Sequence, residues 1–271
     1  MSKFLKQTFD YAVCAISAIF TFVPESVFAQ YKLFEKFSNE ANIIINRIIA
    51  FVIVMAFVAV VHALYLRFRR SVCIEGKNYS IRVSYGDIFD MQNCKIVIPF
   101  DECFTTTVGV APSEIKPTSI CGQYLLKQPI DDMAPLIENA KLKPLKSKSQ
   151  YNGQEQYESG RLVPRGDFLL MSFAKLDKDG LGRMTRSEYL DCLSVLWEEI
   201  GKYYCQSDVC ISVLGSGITR LDDTSLSQQE LLDIIIRSYQ LSTHKIKKPA
   251  QLRIVCRQCD DFSLNRIGEY M

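Results

Sequence analysis

Gly215-Ser216-Gly217 is the segment whose residue types bear most directly on chemistry. It follows the apolar run Val209 to Leu214, VCISVL, and continues as Ile218-Thr219-Arg220 a few residues before a helical pattern. Glycines at the carboxyl end of a strand let backbone amides approach a phosphate, and ligands of open α/β sheets bind there. The plain alternative is an ordinary strand-to-helix turn. Gly86-Asp87-Ile88 closes a second strand-like run, YSIRVSY. Asp87 at that point either accepts a hydrogen bond from an exocyclic amine or caps a helix.

Other patterns carry less chemistry. Asp177, Asp179, Gly182, Thr185 and Glu188 fall at positions 1, 3, 6, 9 and 12 of a calcium-loop pattern. Position 5 is Leu181, which has no oxygen to offer, so a turn leading into a helix near Thr185 is the expectation and no metal is assigned. Cys256 and Cys259 make a single CxxC, and His62 and His244 are the only histidines, so reduced structural thiols are expected rather than zinc. Cys103 has no histidine near it in sequence and is not read as a nucleophile. Leu162 to Gly166 resembles an engineered protease site and is taken as coincidence inside a domain.

The elements that must position these residues follow from periodicity. Tyr79 to Tyr85 alternates with period two, and KIVIPF, Lys95 to Phe100, is a short buried-type run. Asp167 to Ala174 and Gln251 to Cys256 predict further strands. Helices are predicted at Asp131 to Ala140, at Arg186 to Tyr204 with apolar positions Tyr189, Leu193, Leu196, Trp197 and Ile200, and at LSQQELLDIIIRSYQLS, capped or preceded by Ser225. Lys141 to Gly160 is polar and reads as a surface loop or insertion. Strand, helix, strand, glycine turn, helix, strand implies an α/β fold with a parallel or mixed sheet covered by helices.

Ahead of these lies a different kind of segment. Ile43 to Leu66 carries only Asn46, Arg47 and His62 as strongly polar side chains, and Ile48 to Val61 has none. About twenty such residues cross the ~30 Å hydrocarbon layer, and a soluble core helix would show a polar stripe that this one lacks. Tyr11 to Val23 is shorter and meets Pro24, so a first span over about residues 9–29 would be kinked there. The same letters, with Lys3 and Lys6 ahead and Val27-Phe28-Ala29 behind, also fit a cleaved signal peptide. Asp10 against the apolar run, and the stronger span soon after, favour a transmembrane helical hairpin over residues 1–70, with spans at 9–29 and 43–66. Arg67, Arg69 and Arg70 flank the second span, which places residues 71–271 in the cytoplasm and the anchor in the inner membrane.

Composition agrees. Hydrophobic residues make up 48% of the 271, enough for a core, and the net charge of +2 supplies no field for nucleic acid. Ten cysteines, with Cys14 in the apolar N-terminal run and others in strand-like runs such as CKIVIPF, do not describe a secreted disulfide scaffold in a domain this size.

The strand ending in Gly-Asp-Ile, the hydrophobic strand and loop after it, and the late strand ending in a glycine turn together resemble the macro domain, over roughly residues 72 to 267. That resemblance implies ADP-ribose or a relative as ligand and no further cofactor. It puts Asp87 on the adenine amine, Ile88 nearby through its amide, and Gly215, Ser216, Gly217 and Ile218 around the diphosphate, followed by Thr219. Arg220 is placed to add a charge-assisted bond, and Phe262 either stacks on adenine or belongs to the core. Hydrolytic macro domains carry an Asn-Ala-Ala-Asn type loop after the second of these strands. Here Asp101-Glu102-Cys103-Phe104-Thr105-Thr106 stands there, so no enzyme is expected. Asp101 or Glu102 would serve as acid or base only with a raised pKa. Two membrane segments joined to such a domain, with FDECFTT and GSGITR, resemble the membrane effectors of type II Thoeris antiphage defence. That family implies a partner TIR-domain enzyme acting on NAD, a histidine conjugate of ADP-ribose as messenger, homo-oligomers, and disruption of the lipid membrane.

Overall fold

The computed structural model describes residues 3–30, 38–111, 114–151, 153–217, 220–221 and 226–267. The chain divides into two units, one within 1–69 and one spanning Arg70–Ile267.

In the first unit, helix α1 (Lys3–Phe22) ends before Pro24, and a one-turn helix, α2 (Glu25–Ala29), restarts with Pro24 as its cap. The kink expected at Pro24 is a break between two helices, because proline lacks the amide that would carry α1 onward. Helix α3 (Asn39–Phe68) is capped by Ser38, whose hydroxyl accepts the Ala41 amide. It is, among the described residues, the helix long and apolar enough to cross a membrane. Helix α1 packs antiparallel on it. Thr8 and His62 share a 2.8 Å hydrogen bond, Tyr11 meets the His62 ring edge-on, and Ala12 and Ile16 are buried between them. At the far end Arg47 pairs with Glu25 at 3.1 Å and lies over Phe20 and Phe28, while Asn46 donates to the Phe28 carbonyl.

The second unit is a mixed sheet with helices on both faces. Its strands are β1 (Ser71–Glu75), β2 (Ser80–Tyr85), β3 (Cys94–Asp101), β4 (Leu162–Arg165), β5 (Phe168–Leu176), β6 (Gly182–Met184), β7 (Asp208–Ser212), β8 (Arg220–Leu221) and β9 (Leu252–Cys256). They run in the order β1-β2-β9-β7-β3-β5-β6-β8, with β4 also against β5. From β2 to β5 every neighbour is parallel, so β9, β7, β3 and β5 end at the same edge. Alternation sets the two faces. Val97, Leu169, Met171 and Ile211 pack under α6 (Arg186–Tyr203) and α7 (Gln228–Leu241), and Ile96, Ile98 and Leu170 pack under α4 (Ile120–Lys127) and α5 (Ala134–Asn139). Burial on both sides is why these strands read as continuous apolar runs.

The helices begin where side chains satisfy their first amides. Thr185 with Glu188, and Ser227 with Glu230, form reciprocal capping boxes on α6 and α7. The cap of α7 is thus Ser227, two residues after Ser225, which lies outside the described residues. Leu162–Arg165, set aside as a coincidental cleavage-site pattern, is a sheet strand, with Val163 opposite Leu170. The segment 141–160 is irregular, as expected for a loop, but it is rooted in the core through Ser149 and Tyr157.

Candidate functional site

A cleft of about 550 Å³ opens where β3, β5, β7 and β9 end. Its floor is Pro99, Phe100 and Asp101 from β3, Phe173, Ala174 and Leu176 from β5, Ser212 at the end of β7 with Val213 and Leu214 after it, and Val255 from β9. One wall is Glu114 to Cys121 ahead of and into α4, and the other is Gly215, Ser216, Gly217, Gln228 and Arg257. Gly180 to Gly182, from the turn between β5 and β6, closes one end. This is the edge at which open α/β sheets bind ligands.

The glycine turn is held in shape by contacts within the protein. Gly215 has φ +82°, a left-handed conformation that costs a residue with a Cβ about 1–2 kcal/mol. The Ser216 hydroxyl donates to the Val213 carbonyl at 2.7 Å, and the buried Tyr189 hydroxyl of α6 donates to the Leu214 carbonyl at 2.9 Å. Open space lies where a Cβ on Gly217 would sit, so a ligand can reach the backbone there. Beside it Gln228, the first residue of α7, grips Arg257 by its backbone: the Gln228 amide donates to the Arg257 carbonyl at 2.8 Å and accepts the Arg257 amide at 3.2 Å. The Arg257 side chain is exposed on the cleft wall, as is Lys116 on the other. Lys116 on one wall, and Arg257 beside the glycine amides on the other, suit an anionic ligand.

At the end of β3 the register with β5 slips by one residue between Phe100 and Asp101. Such bulges re-aim side chains beside sites. Asp101 lines the cleft, with one carboxylate oxygen accepting the amides of Cys103 (2.8 Å) and Thr105 (3.1 Å). Burial pushes its carboxyl above the ordinary aspartate range despite those two bonds. Glu102, next in sequence, is 2% exposed and serves another site: its carboxylate accepts from the Ser149 hydroxyl and the Leu176 amide, away from the cleft lining. Burial raises the Cys103 thiol to about 12, so it carries almost no thiolate at neutral pH.

The expected ligand residues are not all brought together. Gly215, Ser216 and Gly217 line the cleft. Ile218 and Thr219 lie outside the described residues. Arg220 pairs along the backbone with Arg183 in the short strand β8. Asp87 is exposed and accepts the Phe89 amide at 3.0 Å, capping a 3-10 turn at Ile88–Asp90, and it does not line the cleft. Ile88 is buried in the core beneath α4 and α5. Phe262 is 5% exposed and packs edge-on against Tyr85 in the other core layer. Periodicity missed the wall from Glu114 to Cys121. Its signal was Ser119 followed by Gly122: Ser119 caps α4, and a Cβ on Gly122 would sit 2.2 Å from the Lys116 carbonyl. The calcium-like loop is a β-turn in which Asp177 takes the Asp179 and Leu181 amides and the Arg183 guanidinium.

Comparison with known proteins bears on the family of the chain. The Thoeris protein ThsA of Bacillus amyloliquefaciens (strain Y2) is 28% identical over 217 residues, covering 77% of this chain and 72% of that protein. Among solved structures, an Oceanobacillus iheyensis macrodomain with ADPR covers 69% of this chain and 90% of its own, at 12% identity and a TM-score of 0.44. The macrodomain of Thermus aquaticus DarG covers 66% and 98%, at 13% identity and 0.39. A family model, Thoeris protein ThsA, Macro domain, matches residues 81–257. Because that match takes in more than half of the chain and every cleft residue from Pro99 to Arg257, the chain belongs to the Thoeris ThsA macro-domain family.

Proposed function

We propose that this protein is a membrane-anchored receptor of antiphage defence whose cleft binds an ADP-ribose-derived messenger. The observation that carries the reading is the juxtaposition of the preset Gly215–Gly217 turn with Arg257, held by Gln228. Glycine amides and the guanidinium neutralise a diphosphate, and the cleft's volume and largely apolar floor suit a nucleotide-sized molecule. Within the family resemblance the messenger is histidine-ADP-ribose, made from NAD by a partner TIR-domain enzyme, and no further cofactor is needed.

The output is read at the membrane. Helix α1 stays alongside α3 from His62 to Arg47, roughly 22 Å of axis, so a spanning α3 carries α1 within the same apolar layer. This supports a hairpin anchor in the inner membrane, with the basic flank Arg67, Arg69 and Arg70 and the domain after it on the cytoplasmic side. Ligand binding shifts the population toward an oligomer that breaches the bilayer. Calorimetry on the full chain in detergent tests the first step: ADP-ribose conjugates bind, and Arg257→Gln weakens binding at least tenfold. Absence of heat with every ADP-ribose derivative would sink the reading.

Asp101 favours a second reading, an anchored enzyme acting on ADP-ribose adducts, because its raised carboxyl lines the cleft. Steady product release from an ADP-ribosylated substrate, abolished in Asp101→Asn, distinguishes that reading from a receptor without turnover.

A further inference from the structure

The segment between Glu138 and Glu155 contains four lysines, Lys141, Lys143, Lys146 and Lys148, and no acidic residue. It is built, not loose. The Leu145 amide donates to the Gln156 carbonyl at 2.8 Å and the Ser149 amide to the Gln154 carbonyl at 2.9 Å, with Lys148 bridged to Glu155, so 145–149 and 154–156 form a short antiparallel ribbon. Ser149 and Tyr157 root that ribbon on the side chain and carbonyl of buried Glu102. Lys148 is paired with Glu155 at 3.4 Å. Lys141, Lys143 and Lys146 are exposed, and no ion pair joins them to an acid among the described residues. Leu145 is exposed between them, at 41%.

We infer that this ribbon, with residues 141–144 leading into it, is a docking surface for anionic phospholipid headgroups. Charge complementarity is the first support: Lys146 on the ribbon, and Lys141 and Lys143 just ahead of it, are exposed around Leu145 and match phosphate groups above an apolar layer. Proximity is the second. Only Arg69 and Arg70 separate the apolar helix α3 from β1, and two residues reach about 7 Å at most, so a domain carried by an embedded α3 is concentrated at a bilayer surface. The sign is the third, because the same leaflet that retains Arg67, Arg69 and Arg70 attracts lysines. Each basic side chain near an anionic surface contributes about fivefold to partitioning, so three contribute on the order of a hundredfold. The inference rests on α3 being embedded but not on what the cleft binds.

Lysine footprinting of the full chain in nanodiscs tests it. Acetylation of Lys141, Lys143 and Lys146 is expected to fall about fivefold or more in discs containing phosphatidylglycerol, relative to phosphatidylcholine discs, and to recover at high salt. Lys178, exposed on the turn after β5, is the internal control and keeps its rate. The variant Lys141→Gln/Lys143→Gln/Lys146→Gln should show no lipid-dependent protection at Lys148. Alkaline extraction from the discs checks separately that the anchor is inserted. Equal labelling in both kinds of disc with the anchor inserted overturns the inference, as does protection conferred by added RNA and not by anionic lipid.

Discussion

Glu102 Oε1 accepts the Ser149 hydroxyl at 2.5 Å and the Leu176 amide at 3.2 Å, joining the end of β3 to the 141–160 segment and to the last residue of β5. Its neighbour Asp101 projects into the cleft, and Leu176 lines the same cleft. Two consecutive acids at the end of β3 thus have different tasks, one lining the cleft and one holding the segment behind it.

Removing the buried acceptor should be costly. Glu102→Ala leaves a buried hydroxyl and amide without their partner, and a loss of roughly 3 kcal/mol is expected. Glu102→Gln keeps an acceptor and should lose about half as much. Thermal melts of both variants in the same detergent measure the difference. Equal melting temperatures for wild type and Glu102→Ala would show that the contact does not hold the fold.

Asp101 should make stability and binding depend on pH. Its folded carboxyl titrates above the unfolded value because of burial, so its contribution to stability is complete below the unfolded pKa and is lost as pH rises through the folded one. Asp101→Asn keeps an acceptor for the Cys103 and Thr105 amides without the charge. The variant should therefore be more stable than wild type at neutral pH, with the gap closing in acid. An anionic ligand should also bind the variant more tightly at neutral pH, with a flatter pH profile by calorimetry. A wild-type profile as flat as the variant's would refute this.

Gly215 and Gly217 should respond differently to a methyl group. Gly215→Ala forces a side chain into φ +82° and should lower stability by about 1 kcal/mol. Gly217→Ala has room for its Cβ and should melt near wild type, yet bind a diphosphate ligand tenfold more weakly, because the methyl occupies the approach to the backbone. If both variants bind as wild type, the glycine turn is not the phosphate contact.

Thr8 and His62 offer a check on the anchor. Their side chains meet at 2.8 Å, so Thr8→Cys/His62→Cys should join through a short thiol cross-linker in native membranes, read as a linked peptide pair. A partner such as Leu5→Cys, whose native side chain is exposed, should cross-link to position 62 far less. Efficient linkage of both pairs, or of neither, would contradict the antiparallel packing.

Much of this protein is written in its sequence because the governing physics is local. The apolar run at Ile43 to Leu66 needs only length and the absence of a polar stripe, and strands buried on both faces read as continuous apolar runs such as KIVIPF and VCISVL. The Gly215–Gly217 segment was legible as a turn because paired glycines directly after an apolar run end the strand, while the same letters also fit an ordinary strand-to-helix connection. Contacts distant in the chain were not legible. Phe262 could stack on a ligand or fill the core, and Tyr85, far away in sequence, claims it for the core. Asp101 and Glu102 are chemically alike, and only what packs around the end of β3 assigns one to the cleft and the other to Ser149. The wall from Glu114 to Cys121 has no period to detect, because its shape comes from packing of Gly122 against Lys116. Periodicity encodes which face of an element is buried, whereas which residues meet across a cleft depends on strand order and register, which no local pattern records.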